Sequence, residues 1–395
     1  MAQLSDDCFA FGGDLMTTAA ALADLEARVE RVAEPEAVAL PSALGRILAE
    51  DIVAGRDVPP NANSAVDGYA VYFDDLASDG PTVLPVVGRA AAGHPLDGPQ
   101  ARGTAVRIFT GAAMPTGESS GEKGGVPDTV MMQEDCVERD GPDGGRVVEI
   151  APGIKRGANQ REAGEDIRAG TTILKAGQRL RPQDLGLAAS VGRSRLMVYA
   201  PLKAAVFSTG DEVRDPLKGD AGNGAEPDGD LGEGLIYDSN RVTIAALLAQ
   251  LGCAVSDLGI LPDDRAAIET ALEAAARDHA LIVTSGGMSV GEEDHVRDAV
   301  EALGQVHFWR LAIKPGRPIA LGQIGRVPFV GLPGNPVARI EMGSDGVPVA
   351  HKFPRDGAGI LTSMVEADGL VELPEEMTRL KAGTMVDFLP FSEVS

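Results

Sequence analysis

The amino-terminal part of the chain has apolar residues at helical spacing. Over residues 17–32 they recur every three or four positions, which is typical of one face of a helix, and Thr17 or Thr18 can cap its start. The expected inward face consists of Leu22, Leu25, Val29 and Val32. A second helix is predicted after Ser42, with Leu44, Ile47 and Leu48 turned inward.

Residues 59–151 have a different pattern, in which short apolar runs are separated by Gly, Pro and Asp. Such runs are typical of strands, so this segment is predicted to form a β-rich module. The expected strands cover residues 71–73, 105–109, 129–132 and 147–150. A Gly/Ser/Glu-rich loop at 116–127 is interpreted as a surface insertion.

From about residue 200, apolar strands alternate with helical patterns. Strands are predicted at 204–207, 255–261, 281–284, 306–313, 319–321 and 329–332, and helices at 240–250, at 265–277 and from Glu292. This alternation indicates a doubly wound α/β domain with a parallel sheet. The helix at 240–250 is expected to pack through Ile244, Leu247, Leu248 and Leu251. Short β-like runs return after about residue 340.

These patterns predict a multidomain protein of the α/β plus β class, and 395 residues suffice for several cores. Residues 1–58 with 152–198 are predicted to form one domain, into which residues 59–151 insert as a β-rich module. Residues 199–338 would form the doubly wound α/β domain, and residues 339–395 a small carboxyl-terminal β-domain.

Composition limits the partners. The formal net charge is −24, and such a field repels nucleic acid and anionic membranes. The three cysteines, Cys8, Cys136 and Cys253, lack metal-ligand spacing and are expected to be thiols in a reducing compartment. No apolar run reaches the roughly 18 residues of a membrane span, and no signal-peptide pattern is present. We therefore expect a soluble cytoplasmic protein that binds neither nucleic acid nor membranes.

Residues typical of ligand sites follow four of the predicted strands. In an open α/β sheet, ligands bind beyond the carboxyl ends of the strands. The residues at these ends are Ser208, Thr209, Gly210, Asp211 and Glu212; Asp263 and Asp264; Ser285, Gly286, Gly287, Ser289 and Asp294; and Pro333, Gly334 and Asn335. Small residues let backbone N–H groups approach an anion, and neighbouring carboxylates can share Mg²⁺ with substrate phosphates. One such loop is more often a tight turn or a helix cap, but four at one edge favour a binding crevice.

Cations flank the same region. Lys314 and Arg317 lie between prolines just after a predicted strand, with Arg310 upstream. Lys155, Arg156 and Arg161 form a second basic cluster. Local positive charge of this kind would let an acidic protein bind an anion such as phosphate.

A series of ordered motifs runs from about residue 40 to residue 338 and resumes at 357–373. The motifs are Asn63-Ser64-Ala65-Val66-Asp67-Gly68-Tyr69-Ala70, Arg107-Ile108-Phe109-Thr110-Gly111-Ala112, residues 128–134, 157–161 and 164–167, the crevice loops, and residues 314–318 and 331–337. Together they resemble the motifs of molybdopterin molybdenumtransferases, the MoeA and gephyrin E-domain family. The resemblance implies a molybdopterin-binding α/β domain and an enzyme that inserts molybdate into adenylylated molybdopterin, releases AMP and uses Mg²⁺ or a similar ion.

The resemblance also assigns roles within the β-rich module. Asp67 and Thr110 would be catalytic and would face the crevice of a partner subunit, which implies a homodimer. Residues 1–58 with 152–198 would then be its linker and dimerisation domain. Arg161 and Asp166 would bind substrate or orient the interdomain site, or else form an ion pair with each other.

The other implied roles fall in the crevice. The catalytic groups there would be Glu212, Asp294 and Lys314, and the metal ligands Asp263 or Asp264 together with Asp294. The substrate-binding residues would be Ser208, Thr209, Gly210, Ser285, Gly286, Gly287, Ser289, Arg310, Arg317, Pro333, Gly334 and Asn335. Lys314 and Arg317 would hold molybdate or phosphate oxygens, where cations stabilise charge that moves toward the leaving group. The adenylylated substrate implies molybdopterin adenylyltransferase as a partner.

The carboxyl-terminal region departs from the family pattern. Val337 and Ala338 lead almost directly into Arg339, so the apolar helix and first strands of the family's last domain are missing, and a shortened β-domain is expected. This favours one alternative, a scaffold or assembly subunit of the same fold without catalysis. A second alternative, the adenylyltransferase, resembles only the 200–338 domain. A nicotinamide dehydrogenase is disfavoured because no Gly-x-Gly-x-x-Gly follows the first strand.

Overall fold

A computed structural model describes residues 16–117, 125–216, 231–286, 295–310, 318–332, 338–342 and 348–352, together with 362, 365, 369–372, 385 and 387–391. The chain forms two compact units. We call Met1–Glu34 with Ala200–Ser395 the α/β unit, and Pro35–Tyr199 the β unit. The amino-terminal helix thus belongs by its contacts to the α/β unit, whereas the sequence grouped residues 1–58 with 152–198. The four domain boundaries remain predictions.

Helix α1 covers Thr18–Arg28. As predicted, Thr17 caps it, because its hydroxyl accepts the backbone N–H of Ala20 at 2.9 Å. The predicted inward face is wrong in part: Ala21 and Leu25 contact the sheet of the α/β unit, while Leu22, Val29 and Val32 are exposed. Since the helix ends at Arg28, the two valines lie beyond it.

The β unit consists mainly of short strands. Its elements are β1 (Pro35–Ala39), β2 (Ile52–Val53), β3 (Asn63–Ser64), β4 (Gly68–Val71), β5 (Thr82–Ala90), β6 (Ala105–Ile108), β7 (Thr129–Met132), β8 (Cys136–Asp140), β9 (Arg146–Ile150), β10 (Gln160–Arg161), β11 (Thr172–Leu174), α2 (Pro182–Ser190) and β12 (Arg195–Tyr199). Three predicted strands are confirmed as β6, β7 and β9. The fourth lies earlier than predicted, since β4 ends at Val71 and Phe73 begins a 3-10 turn.

Six strands of the β unit form one sheet in the order β7-β4-β6-β5-β9-β8. Strand β4 lies between β6 and β7 and is antiparallel to both. Both faces of the sheet are covered: Tyr69 and Met131 belong to one apolar cluster, and their chain neighbours Ala70 and Val130 belong to another. Successive side chains of a strand point to opposite faces, which explains this alternation.

The helix predicted after Ser42 is wrong. The chain forms a 3-10 turn at Leu40–Ala43, and Gly45 then adopts a φ of +73°, a left-handed conformation that ends helical winding. The N–H of Leu48 bonds to the carbonyl of Gln178 at 2.9 Å, so this segment is extended. Leu48 is fully buried, in a core built from β1, β2, β11, α2 and β12.

The α/β unit continues with alternating strands and helices. Its further elements are β13 (Lys203–Thr209), β14 (Val213–Arg214), β15 (Ile236–Tyr237), α3 (Ser239–Gln250), β16 (Ala254–Leu261), α4 (Arg265–Asp278), β17 (Leu281–Ser285), α5 (His295–Leu303), β18 (Gly304–Arg310), β19 (Pro318–Ile324), β20 (Val327–Leu332), β21 (Ala338–Met342), β22 (Pro348–Lys352), β23 (Gly369–Glu372) and β24 (Asp387–Pro390). The predicted start of α5 at Glu292 lies outside the described residues. Strands β21 to β24 form an antiparallel sheet in the order β22-β21-β23-β24.

The main sheet of the α/β unit has the order β16-β13-β17-β20-β19-β18. The first four strands are parallel, as predicted, but β19 is antiparallel to both its neighbours, so the sheet is mixed. Only Gly325 and Arg326 join β19 to β20, with Gly325 at a φ of +61°. A two-residue connection can join only antiparallel strands.

Helices cover both faces of this sheet. Helices α4 and α5 pack on a core that contains Phe207, Ile282 and Phe329. Helix α1 contacts Val330, whose side chain points to the opposite face from that of Phe329. The doubly wound α/β class predicted from the sequence is confirmed.

Helix α3 is confirmed, but its predicted apolar face is wrong in part. Ile244 and Leu248 are only partly buried. Leu247 is 48% exposed and Leu251 is also exposed, whereas Arg241 is only 1% exposed. An ion-pair network, described below, explains why this helix turns a charged residue inward. Among the described residues, no helix is long and apolar enough to cross a membrane.

Candidate functional site

Asp67 and Thr110, 43 residues apart in sequence, lie side by side in the β unit. Asp67 immediately precedes β4, and Thr110 follows β6, the antiparallel neighbour of β4. The backbone N–H and the hydroxyl of Thr110 both donate to Asp67 Oδ1, each at 2.8 Å. The structure therefore brings together the two residues of this unit that were predicted to be catalytic.

Two glycines make this arrangement possible. Gly68 sits so close to β7 that a Cβ atom would lie 1.8 Å from the Met131 carbonyl oxygen. Gly111 follows Thr110 with a φ of +78°, and its N–H bonds to the Ser64 carbonyl at 2.8 Å. The turn that carries Thr110 is thus held against β3.

The carboxyl group of Asp67 is stabilised as the anion. The backbone N–H of Thr110, then its hydroxyl, and more weakly the positive charge of Arg107 hold the pKa of Asp67 below its ordinary value, although partial burial acts in the opposite direction. Hydrogen bonds to a carboxylate favour its charged form. Asp67 is therefore an ionised acceptor at neutral pH and not a general acid.

The motif at 157–161 lies beside this pair. Strand β10, which ends at Arg161, pairs with β3, and the N–H of Ala65 bonds to the Asn159 carbonyl at 2.8 Å. Asn159 adopts a φ of 59°, which asparagine tolerates better than most residues, and its side chain bonds to the Val130 carbonyl at 2.9 Å. The sequence motifs at 63–70, 128–134 and 157–161 are thus neighbours in the β unit.

Arg161 and Asp166 are both exposed and, among the described residues, do not pair with each other. The ion-pair interpretation of these two residues is therefore wrong. Asp166 lines an open depression of about 380 Å³ that Ile167, Ile173 and Leu187 also line. Of the basic cluster predicted at 155–161, Arg156 forms ion pairs with two aspartates.

In the α/β unit, the predicted strand ends meet at one edge. Ser208 of β13 pairs in register with Ser285 of β17, and Ser285 pairs with Leu332 of β20. Gly286 has a φ of +92°, and a Cβ atom there would be 3.4 Å from the Thr209 carbonyl oxygen. The ends of these strands are therefore in close contact, as the crevice prediction requires.

A buried ion-pair network lies behind this edge. Arg241 of α3 forms ion pairs with Asp215 at 2.9 Å, with Asp238 at 2.7 Å and with Asp257. Asp238 also accepts a hydrogen bond from the Ser208 hydroxyl and, at 3.1 Å, from the N–H of Arg241, so that it caps α3. The network therefore connects α3 to the end of β13.

The charge of Arg241 is strongly stabilised. Burial disfavours it, but the hydrogen bonds to Asp238 and Asp257, with the charges of Asp257 and Asp215, raise the pKa of Arg241 above its ordinary value. Sequence reasoning missed this network because the prediction of α3 rested on its apolar residues and gave Arg241 no role. Asp238 lies three residues before Arg241, whereas Asp215 and Asp257 come from elsewhere in the chain.

The predicted metal ligands are only partly described. Asp264 caps α4, because its carboxylate accepts the N–H of Ala267 at 2.8 Å, while Asp263 is exposed. Glu212 is exposed beside Gly210, which has a φ of +136°. Within the described part of the chain, no three Asp, Glu, His or Cys residues form a cluster that could hold a metal ion.

The other predicted crevice residues lie mostly outside the described residues: Gly287, Ser289, Asp294, Lys314, Arg317, Pro333, Gly334 and Asn335. Arg310 is described at backbone level. It ends β18, which runs parallel to β20, so it lies at the same edge of the sheet on the outermost strand.

The fold and these groups define a multidomain ligand-binding α/β protein with a hydroxyl- and glycine-rich sheet edge and a separate β unit. Residues 16–192 match the MoeA N-terminal region (domain I and II), residues 205–352 a probable molybdopterin binding domain, and residues 337–391 the MoeA C-terminal region (domain IV). These matches, in order, account for both units.

Individual relatives are similar to this chain over most of its length. The chain is 41% identical over 307 residues to the molybdopterin molybdenumtransferase of Haemophilus influenzae, which covers 78% of this chain and 70% of that protein. It is 33% identical over 387 residues to molybdopterin molybdenumtransferase 2 of Mycobacterium tuberculosis, with 92% and 88% covered. The solved structure of a molybdopterin biosynthesis MoeA protein from Pyrococcus horikosii is 27% identical, with a TM-score of 0.69, and the match covers 95% of this chain and 97% of that one. The chain belongs to the MoeA family of molybdopterin molybdenumtransferases.

Proposed function

We propose that the protein acts in molybdenum cofactor biosynthesis as an enzyme that transfers molybdenum from molybdate to adenylylated molybdopterin and releases AMP. The observation that carries this proposal is the family match along both units, with relatives named molybdopterin molybdenumtransferase. The adenylyltransferase alternative explains only the α/β unit.

The Asp67–Thr110 pair supports an active role for the β unit. An ionised carboxylate at the surface, held by two hydrogen bonds from one residue, is oriented and charged before any ligand arrives. An active-site group that positions or stabilises a cationic or proton-donating partner has to be preorganised in this way. We propose that this pair completes the crevice of a partner subunit in a homodimer.

The sheet edge of the α/β unit supports pterin and phosphate binding. Ser208 and Ser285 are buried neighbours, and Gly286 exposes backbone that a side chain would cover. Backbone N–H groups at such an edge bind anionic groups. Lys314 and Arg317 would then hold molybdate, since a chain of net charge −24 can attract this dianion only through local cations.

One described carboxylate after β16, that of Asp263, is exposed and suited to Mg²⁺. This ion usually rests on one or two carboxylates together with substrate phosphates. Asp263 is exposed and follows β16 at the same edge, whereas the Asp264 carboxylate already caps α4. We therefore propose Asp263, together with Asp294, as the carboxylates that would hold Mg²⁺, which would neutralise phosphate charge during transfer.

The proposal is tested by AMP release from adenylylated molybdopterin in the presence of Mg²⁺, with and without molybdate. We expect release that depends on molybdate and that falls strongly in Asp67→Asn, which keeps the side-chain size but removes the charge. Arg195→Gln, an exposed change remote from the predicted site residues in sequence, serves as the control. Substrate binding without any AMP release would contradict the proposal and favour the scaffold alternative.

The shared site has its own test. Asp67→Asn and Glu212→Gln alter different units, so each homodimer should be inactive. If each site combines the β unit of one subunit with the α/β unit of the other, an equal mixture of subunits should recover about a quarter of the parental activity. No recovery after verified subunit exchange, or a monomer that still turns over, would contradict the shared site.

We further propose a cytoplasmic location, with molybdopterin adenylyltransferase as the supplier of substrate.

A further inference from the structure

Arg107 links three strands of the β unit at the point where Asp67 and Thr110 emerge. Its side chain starts on β6 and reaches across β4, where Nη1 donates to the Gly68 carbonyl at 3.2 Å. Nη2 donates to Gln133 Oε1, at the end of β7, at 2.6 Å. The guanidinium group therefore uses its fork of donors on two different strands.

Aromatic rings hold the same guanidinium group. Its central carbon lies 5.0 Å from the ring centre of Tyr69 and 4.9 Å from that of Phe109. Tyr69 is buried, and its hydroxyl donates to Glu138 at 2.5 Å, so this ring has a defined orientation. Stacking on two rings restricts the arginine side chain, which otherwise has many rotamers.

The partners of Arg107 are the residues that shape the Asp67 turn. Gly68 directly follows Asp67, and the N–H of Gln133 bonds to the Asp67 carbonyl at 3.0 Å. Thr110 lies three residues after Arg107 on the same strand and turn. Arg107 thus bonds to the backbone carbonyl of Gly68, directly after Asp67, and to the side chain of Gln133, whose own N–H holds the Asp67 carbonyl. Its charge also favours the ionised carboxylate.

We propose that Arg107 is a positioning residue that holds Asp67 and Thr110 in the geometry needed for molybdenum transfer. This role rests on the proposed function, and it acts through Asp67. Misplacement of a reacting or orienting group by about 1 Å can lower a rate about 100-fold, so a clamp of this kind affects the rate without contacting the substrate.

Arg89 provides a matched control. Its guanidinium carbon lies 4.6 Å from the ring centre of Phe109, and it pairs with Arg107 in register on the neighbouring strand β5. Among the described contacts, however, Arg89 donates no hydrogen bond to Gly68 or Gln133. Arg89→Met and Arg107→Met therefore each remove one positive charge and one contact with the Phe109 ring. Only Arg107→Met also removes the Tyr69 contact and the hydrogen bonds to Gly68 and Gln133.

The first measurement does not depend on activity. In protein labelled with ¹⁵N-threonine, the temperature coefficient of the Thr110 amide shift reports its hydrogen bond to Asp67. We expect a clearly larger coefficient in Arg107→Met than in the parent protein, and the parental value in Arg89→Met. A parental value in Arg107→Met would overturn the proposal, whether or not the protein transfers molybdenum.

The second measurement is a double-mutant cycle in single-turnover AMP release. Arg107→Met should lower the rate about ten-fold or more in the parent, with an unchanged urea midpoint, and Arg89→Met should leave it unchanged. In the Asp67→Asn background, Arg107→Met should change the rate less than about two-fold, because the group through which it acts is already lost. An equal loss in both backgrounds would overturn the proposal. If the parent releases no AMP, the proposed function fails, while the Thr110 measurement still decides the positioning role.

Discussion

Replacing Arg241 by methionine should strongly destabilise the α/β unit. Methionine has a similar length but no charge, so Arg241→Met leaves three carboxylates around an apolar side chain. Asp238 is nearly as buried as Arg241, and Asp215 is largely buried, so these two lose their counter-charge without gaining water.

The magnitude follows from burial. Removal of one partner from a buried ion pair costs about 3–5 kcal/mol of unfolding free energy. Asp257 is 35% exposed and can be hydrated again, and Asp238 keeps its hydrogen bond from Ser208. We therefore expect a loss of about 3 kcal/mol, at the lower end of that range.

Urea unfolding measures this loss. The single tryptophan, Trp309, lies in β18 of the same sheet, so its fluorescence reports on the α/β unit. Arg265→Met is the matched control, because Arg265 forms an exposed ion pair with Glu269 four residues along α4. Exposed pairs of this kind contribute little, and no measurable change is expected.

A loss of unfolding free energy in Arg241→Met as small as that in Arg265→Met would refute this account of the network.

Three further outcomes are expected. Gly68→Ala should lower the thermal unfolding temperature of the β unit sharply, because the new Cβ would lie 1.8 Å from a carbonyl oxygen. Gly55→Ala should not lower it, because no atom lies within 4 Å of a Cβ there. Equal effects of the two changes would contradict the close approach at Gly68. Thr110→Val should raise the pKa of Asp67 toward its ordinary value, measured by ¹³C carboxyl NMR, since the hydroxyl bond is lost but the N–H bond remains; an unchanged pKa would contradict the assigned cause. Lys314→Ala should raise the molybdate concentration for half-maximal rate about ten-fold or more. The reason is that a cation about 4 Å away contributes roughly 4 kcal/mol of gross attraction at an effective dielectric of about 20. Weakened pterin binding with an unchanged molybdate requirement would contradict this role.

Local chemistry made much of the fold predictable. Thr17 caps α1 because its hydroxyl can accept a hydrogen bond from a free backbone N–H at the start of a helix. The spacing of apolar residues located α3, α4 and most strands of the α/β unit. The antiparallel β19 was missed, although the two residues at Gly325 and Arg326 between two apolar runs are a hairpin signal.

Contacts between residues far apart in the sequence were harder to predict. The Asp67–Thr110 contact joins residues 43 positions apart, and without the family resemblance no spacing rule connects them. Arg241 was missed for a similar reason, since its burial depends on Asp215 and Asp257 from elsewhere in the chain as well as on Asp238 at the start of its own helix. Apolar periodicity cannot anticipate a helix face that is buried through ion pairs.

The proposed transfer reaction would place molybdenum on the sulfur atoms of molybdopterin. Its most direct test is X-ray absorption at the molybdenum edge, on the pterin product isolated after incubation of the protein with adenylylated molybdopterin, Mg²⁺ and molybdate. Our account predicts sulfur scatterers around molybdenum in the product of the parent protein and their absence with Asp67→Asn. A spectrum of molybdenum bound only by oxygen, as in free molybdate, after AMP has been released would contradict it.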